Sequence, residues 1–323
     1  MVMIMLIIDS LKVKYKDTVA LDVKRPIRIE PGSRVGVIGS NGAGKTTLVK
    51  ALIGLTDYEG SFSLGVPRED IAVHLQHNMY QDSVSVKTLM ELILNSKLEN
   101  HILASRLVEE FSFEHCLHKK FSKLSGGEQQ KMTMILVLAR EAKLLFFDEV
   151  TTGLDFQNRE NLMELLKNWK WRKDQTVIMI SHYYKELETV TDKLLILDKG
   201  RVIDYGDTDE LFHKYCGDYL FIVDNVSKAA GISNDGYEGK SAEEGQIIFE
   251  NIRGTMRESI GADMYHEGDV SLINNNLMIR SRNKEESRKI AEILIDKGLN
   301  YRFTVRDIEV LYTVAKERYY EQI

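Results

Sequence analysis

Eight consecutive residues, Gly39-Ser40-Asn41-Gly42-Ala43-Gly44-Lys45-Thr46, fit the pattern G-x-x-x-x-G-K-[ST]. Their types suit the cradling of phosphate. Glycines let backbone N–H groups turn inward around phosphate oxygens. A helix beginning at the lysine adds the positive end of its dipole. Lys45 is then placed for the β- and γ-phosphates, the Thr46 hydroxyl for Mg²⁺, and Thr47 for the α-phosphate. The pattern calls for a nucleoside triphosphate and leaves the class of protein open.

Two further segments carry chemistry. The apolar run at residues 144–147 ends in Asp148 and Glu149. It reads as a buried strand beside the phosphate loop, with Asp148 placed to hold Mg²⁺ and Glu149 to orient or deprotonate an attacking water. Leu124-Ser125-Gly126-Gly127-Glu128 precedes a long apolar helical stretch. Ser125 and Glu128 fit a capping box. A cap needs no glycines, however, and Gly126 with Gly127 bares backbone amides at a helix start, a second anion site. Two such helix starts far apart in sequence suggest a dimer, with each nucleotide between the phosphate loop of one copy and the Ser-Gly-Gly turn of the other.

The elements that must position these residues read as follows. Residues 1–30 form short strands, with alternation in Leu11-Lys12-Val13-Lys14-Tyr15. Residues 34–38 are a strand running into the phosphate loop, and 46–55 a helix. Strands at 71–75, 144–147, 176–180 and 194–197 alternate with helices at 158–169 and 183–191, which indicates an α/β architecture. A helical stretch at about 84–140 is an insertion in it. The reading assigns residues 1–215 to one domain, 216–246 to a linker or loop, and 247–323 to a small accessory α/β domain. The last has a hairpin at Asn274-Asn275-Asn276, a helix over 284–297 stopped by Gly298, and a final helix capped by Asp307.

Composition narrows the function. There are 323 residues, with 43 Lys plus Arg against 49 Asp plus Glu, a net charge of -6. That balance opposes sequence-independent nucleic-acid binding, so no nucleic-acid partner is expected. Two cysteines cannot build a disulfide framework and point to a reducing compartment. The apolar start is too short for a membrane span, so any membrane part must come from another chain.

Taken in order, these motifs resemble the nucleotide-binding subunits of ABC transporters. The resemblance covers residues 1 to about 215. It rests on residues 39–46 (Walker A), Gln76 (Q-loop), Leu124 to Glu128 (signature), residues 144–148 with Glu149 (Walker B and catalytic glutamate), Gly153-Leu154-Asp155 (D-loop) and His182 (switch histidine). It implies a P-loop NTPase core of ABC type with an N-terminal antiparallel β part and a helical insertion. It also implies ATP and Mg²⁺ as ligands. By the resemblance, Tyr15 stacks on adenine, and Gln76 senses the γ-phosphate and Mg²⁺ and contacts a membrane subunit. His182 holds the γ-phosphate and the attacking water. Asp155 acts across the dimer, and Ser125 and Gly127 clamp the γ-phosphate of the opposite copy. The implied partners are transmembrane permease subunits and a second copy, at the inner face of the cell membrane. Val150 stands where the family often has Pro, which leaves the approach to the D-loop softer. The tail from Tyr301 to Tyr312 is similar to that of ATPases from drug- and lipid-exporting systems, which favours export; a generic dimerisation or regulatory appendage is the other reading of it. A soluble cassette acting on ribosomes, a DNA-repair ATPase and a non-catalytic module are the rivals. The single cassette, the short gap between Gln76 and Ser125, and the intact Asp148-Glu149-His182 set oppose them in turn.

Overall fold

The computed structural model describes all residues except 1–3, 76–79, 81–82, 225, 227–237, 261–268, 274 and 323. The chain divides into two compact units, Met1–Asp207 and Thr208–Ile323. No helix among the described residues is long and apolar enough to cross a membrane.

In the first unit, five parallel strands form the centre. They are β4 (Arg34–Ile38), β6 (Ile71–His74), β7 (Leu144–Asp148), β8 (Thr176–Ile180) and β9 (Lys193–Asp198). Their spatial order is β9-β4-β8-β7-β6. All five residues of β7 and of β8 are buried, which is why these segments read as unbroken apolar runs. Beyond β9 lie β10 (Arg201–Asp207), β2 (Thr18–Val23), β1 (Leu6–Tyr15) and β3 (Ile27–Ile29), with β5 (Glu59–Leu64) also pairing with β1. Here the strands pair antiparallel, except that β10 meets β2 in parallel. Strand β1 alternates buried and exposed residues over much of its length, as a strand with one wet face does. The parallel strands end together at one edge, and in such sheets ligands bind beyond the carboxyl ends.

In the sheet, β8 is inserted between β4 and β7. Asp148 nonetheless reaches the phosphate loop, since all three strands run parallel and end on the same side.

The helical region contains α2 (Val86–Leu94), α3 (Ile102–Glu110) and α4 (Gly126–Ala139), linked by single 3₁₀ turns, one of them Glu114–Cys116. Every residue from Met132 to Ala139 is buried. A helix end apolar on all sides needs cover on all sides, and α2, α3 and β6 pack against α4. Helix α1 (Lys45–Leu52) follows the phosphate loop; α5 (Phe156–Asn168) and α6 (Tyr184–Val190) flank β8 in sequence.

The second unit begins earlier than the sequence indicated. Helix α7 (Thr208–Cys216) packs on the last helix, α10 (Ile308–Glu321), so it belongs with the C-terminal unit. The segment read as a linker, residues 216–246, holds β11 (Tyr219–Val223) and the start of α8 (Glu238–Ile260). Strand β11 is central, in the antiparallel order β12-β13-β11-β14, where β12 is Val270–Ile273, β13 Asn276–Ser281 and β14 Arg302–Thr304. With α9 (Lys284–Asp296) the unit is a β-α-β-β-α-β fold of ferredoxin-like order. The polar, glycine-bearing start of α8 hides the helix in sequence; burial of Ile252 and Met256 against Phe221, Leu277 and Ile279 anchors it in the fold.

Candidate functional site

Strand β4 is almost wholly buried and delivers Gly39 to the carboxyl end of the sheet. The loop that follows must double back sharply. Gly44 has φ +98, and a Cβ there would stand 2.8 Å from the Ala20 carbonyl oxygen of β2. At Gly39 a Cβ would fall against the Leu197 carbonyl of β9. Both positions therefore require glycine. Helix α1 begins at Lys45 with Gly44 as N-cap and no side-chain cap bond, which leaves its first-turn amides for an anion.

Lys45 is 6% exposed. Its Nζ donates to the carbonyls of Gly39 at 2.8 Å and Ser40 at 3.1 Å, so the ammonium lies over the loop. Burial lowers its pKa, opposed by the charges of Glu149 and Asp148. The Thr46 hydroxyl donates to Asp148 Oδ1 at 3.2 Å, and Asp148 Oδ2 is buried with no partner among the described residues. Burial raises the Asp148 pKa, partly offset by Thr46. An orphaned carboxylate oxygen beside a hydroxyl is a hard-oxygen donor set, which fits Mg²⁺. Ser40 Oγ donates to Asp198 Oδ1 at 2.9 Å, at the end of β9. Asn41 and Gly42 are exposed, Ala43 is buried, and Thr46 and Thr47 are half-buried.

Glu149 follows directly from β7 with φ +54. Its carboxylate lies 2.5 Å from His182 Nε2 and accepts from the Thr152 hydroxyl at 3.2 Å. His182 comes from the segment after β8, so neighbouring strands bring Asp148, Glu149 and His182 to one edge. The softness expected from Val150 meets anchors of other kinds. Val150 is 1% exposed, and the Thr151 hydroxyl donates to Glu186 Oε2 at 3.0 Å.

Glu186 is a residue that sequence reasoning missed. The same oxygen accepts from Ser181 Oγ at 2.5 Å, so one buried carboxylate ties the segment after Glu149 to the residue before His182. Burial raises its pKa, opposed first by the Ser181 and then by the Thr151 hydroxyl. The available signal was an acid on the apolar face of α6, level with Leu187 and Val190. Asp198 was likewise legible as an apolar run ending in an acid, the pattern that marked Asp148.

Other expected residues lie apart from this cluster. Ser125 caps α4, and the full capping box is present: Glu128 N donates to Ser125 Oγ at 3.3 Å and Ser125 N to Glu128 Oε2 at 2.7 Å. Lys119, Cys116 and the Ser125 amide donate to Glu128 and hold its pKa well below the usual carboxylate range. Among the described residues, none of the side-chain bonds of Ser125 or Glu128 reaches the phosphate loop. Ser125 and Gly126 are exposed, and a Cβ on Gly126 would meet nothing within 4 Å. Packing among the described residues thus gives no reason for Gly126. Asp155 caps α5, accepting from Asn158 N at 2.8 Å and Asn158 Nδ2 at 2.7 Å. Tyr15 pairs with Thr18 at the tip of the β1–β2 hairpin and is 46% exposed. Gln76 lies outside the described residues.

Residues 26–152 match the family model for ABC transporters. Over 221 residues the chain is 28% identical to the high-affinity zinc uptake system ATP-binding protein of Bacillus subtilis (strain 168), covering 61% of this chain and 95% of that one. Over 233 residues it is 31% identical to a daunorubicin resistance ATP-binding protein of Streptomyces coeruleorubidus, covering 67% of this chain and 72% of the other. Among solved structures, an ATP-binding subunit of an ABC transporter superposes with a TM-score of 0.59 at 24% identity, over 74% of this chain and 99% of that one. A dimeric ATP-binding cassette in a post-hydrolysis state with ADP and Pi superposes with a TM-score of 0.56 at 22% identity, over 63% of this chain and 98% of its own. At these identities the structural likeness speaks for the fold.

Proposed function

This chain belongs to the family of ABC transporter ATP-binding proteins and is an ATPase, and on that premise we propose that it is a motor subunit that dimerises around ATP and drives separate transmembrane permease subunits. The observation that carries the reading is the convergence of Lys45, the Thr46–Asp148 pair and the Glu149–His182 pair at the carboxyl edge of one parallel sheet.

In this reading the uncapped start of α1 and Lys45 bind the triphosphate, and exposed Tyr15 offers its ring to the base. Thr46 and Asp148 are the ligands for Mg²⁺, which when bound neutralises phosphate charge. Glu149 accepts a proton from water as the water oxygen bonds to the γ-phosphorus. The bond to the bridging oxygen breaks, and ADP and inorganic phosphate leave. His182 holds the Glu149 carboxylate in place and faces the same phosphate. Glu186 keeps the two segments in register. Ser125 and Gly127 of a second copy close the pocket, which is the use we assign to an exposed glycine turn that internal packing does not explain. Tighter binding of ATP than of ADP to the closed pair supplies the work.

Relatives of the chain are named for uptake and for export. Export is the direction we carry forward, from the tail at residues 301–312. The position at the inner face of the membrane follows from the permease partnership. Reconstitution with a transmembrane permease subunit in vesicles tests both. ATP-dependent loss of cargo from the ATP side supports the reading, and ATP hydrolysis with no dependence on any membrane subunit overturns the coupling.

A further inference from the structure

Cys116 and His115 sit in the 3₁₀ turn Glu114–Cys116, upstream of α4, and both face Glu128 in the first turn of that helix. His115 Nε2 is 3.0 Å from Glu128 Oε1, Cys116 Sγ is 3.1 Å from the same oxygen, and sulfur and ring nitrogen are 3.3 Å apart. Among the described residues this is the one group of three or more such side chains whose donor atoms lie within 4.8 Å of one another. We propose that His115, Cys116 and Glu128 form a binding site for a borderline-soft divalent transition metal of the Zn²⁺ class, and that its occupation slows hydrolysis through the Ser-Gly-Gly turn. The second half rests on the function proposed above.

The spacing suits the ion. Zinc bonds run about 2.3 Å to sulfur and about 2.0–2.2 Å to nitrogen and oxygen, so tetrahedral ligands stand about 3.3–3.7 Å apart. Each contact here needs to widen by only a few tenths of an ångström. The donor set also selects. A thiolate and an imidazole suit Zn²⁺ or Co²⁺ and not Mg²⁺, which keeps the site distinct from the hard-oxygen pair Thr46 and Asp148. Access comes from one side: the His115 side chain is 63% exposed, while Cys116 forms a buried floor.

Binding is an exchange. Lys119 Nζ now lies 2.8 Å from Glu128 Oε1 and 3.8 Å from Cys116 Sγ. The cation that enters replaces the ammonium, and the Cys116 proton leaves to the buffer. Three protein ligands leave a fourth position for water. The consequence follows from the two oxygens of one carboxylate. Oε1 takes the metal while Oε2 accepts from the Ser125 amide at 2.7 Å. A metal there fastens the Glu114–Cys116 turn to the capping box and stiffens the amides that a second copy's nucleotide would meet.

The test titrates Co²⁺ into the reduced full-length protein. The expected result is a one-to-one thiolate-to-cobalt band in the near ultraviolet with tetrahedral visible bands, bleached by stoichiometric Zn²⁺. Cys116→Ser removes the band. His115→Ala, at an exposed position that does not threaten folding, weakens binding at least about tenfold. Cys216→Ser leaves the band unchanged, and Lys119→Ala tightens binding. Zn²⁺ slows ATP hydrolysis in the wild type and not in His115→Ala. No thiolate band at equimolar Co²⁺, or a band that survives Cys116→Ser, overturns the site. A normal band with hydrolysis indifferent to Zn²⁺ overturns the regulatory half. Absence of hydrolysis with or without Zn²⁺ sinks the ATPase mechanism and leaves the spectroscopic result standing.

Discussion

Two buried acids in succession do opposite things to this protein. Glu149 is held by His182 and Thr152 and is the base in the proposed reaction. Glu149→Gln keeps the shape and loses the proton acceptor, so kcat is expected to fall about 10²–10⁴-fold while ATP still binds. Single-turnover hydrolysis alongside a binding isotherm measures both, and wild-type turnover in this variant removes Glu149 from the mechanism. Asp148 is 1% exposed, and burial raises its pKa. The sign follows from linkage. A carboxyl with a raised folded pKa costs stability that grows as pH climbs from the unfolded value through the folded one. Asp148→Asn removes the charge and retains an acceptor for Thr46. It should melt higher at pH 7, by about 2–4 °C per kcal/mol relieved, and lose that advantage in acid. Its Mg²⁺-dependent hydrolysis should be lost. A lower melting temperature at pH 7 contradicts the account of Asp148 as a functional acid kept at a cost in stability.

Helix starts are the working elements. Helix α1 opens on an uncapped glycine, whereas α4 opens on a complete capping box with two glycines inside it. The cap explains Ser125 and Glu128 but not Gly126, whose missing Cβ would meet nothing. Gly126→Ala should therefore keep or raise the melting temperature, since alanine in a helix gains about 0.5–1 kcal/mol over glycine. Hydrolysis should nevertheless drop at least about tenfold, because the added methyl group stands in the way of a phosphate approaching the turn's amides, and one donor kept out of reach is worth more than that in comparable anion sites. Unchanged hydrolysis in a stabilised variant shows that no nucleotide approaches this turn.

Whether the pocket is shared between copies is a question for the whole molecule. Lys45→Ala disables the phosphate loop and Ser125→Arg blocks the turn, so each variant alone should be inactive. In a mixed pair, one pocket carries both lesions and the other carries neither. Mixing the two inactive proteins should restore activity, to about a quarter of the wild-type level for random pairing, because half the pairs then hold one intact pocket. No rescue over a range of ratios and concentrations means that loop and turn serve the same copy or different purposes.

Contiguous chemistry was legible in the sequence. The phosphate loop, the capping box at Ser125 and the acids after the apolar run each depend on neighbours along the chain, and local sterics and hydrogen bonding impose their form. Alternation of apolar runs and helical stretches likewise declared the α/β core, because burial on two faces dictates composition. The β-α-β-β-α-β unit was partly hidden, since the polar start of α8 resembles a loop until Ile252 and Met256 find the sheet. Three arrangements were decided only by tertiary structure: β8 between β4 and β7, Glu186 joining Thr151 to Ser181, and His115 and Cys116 meeting Glu128. In each, packing that no local pattern encodes sets strand order or side-chain aim, and a few ångströms decide whether two groups bond.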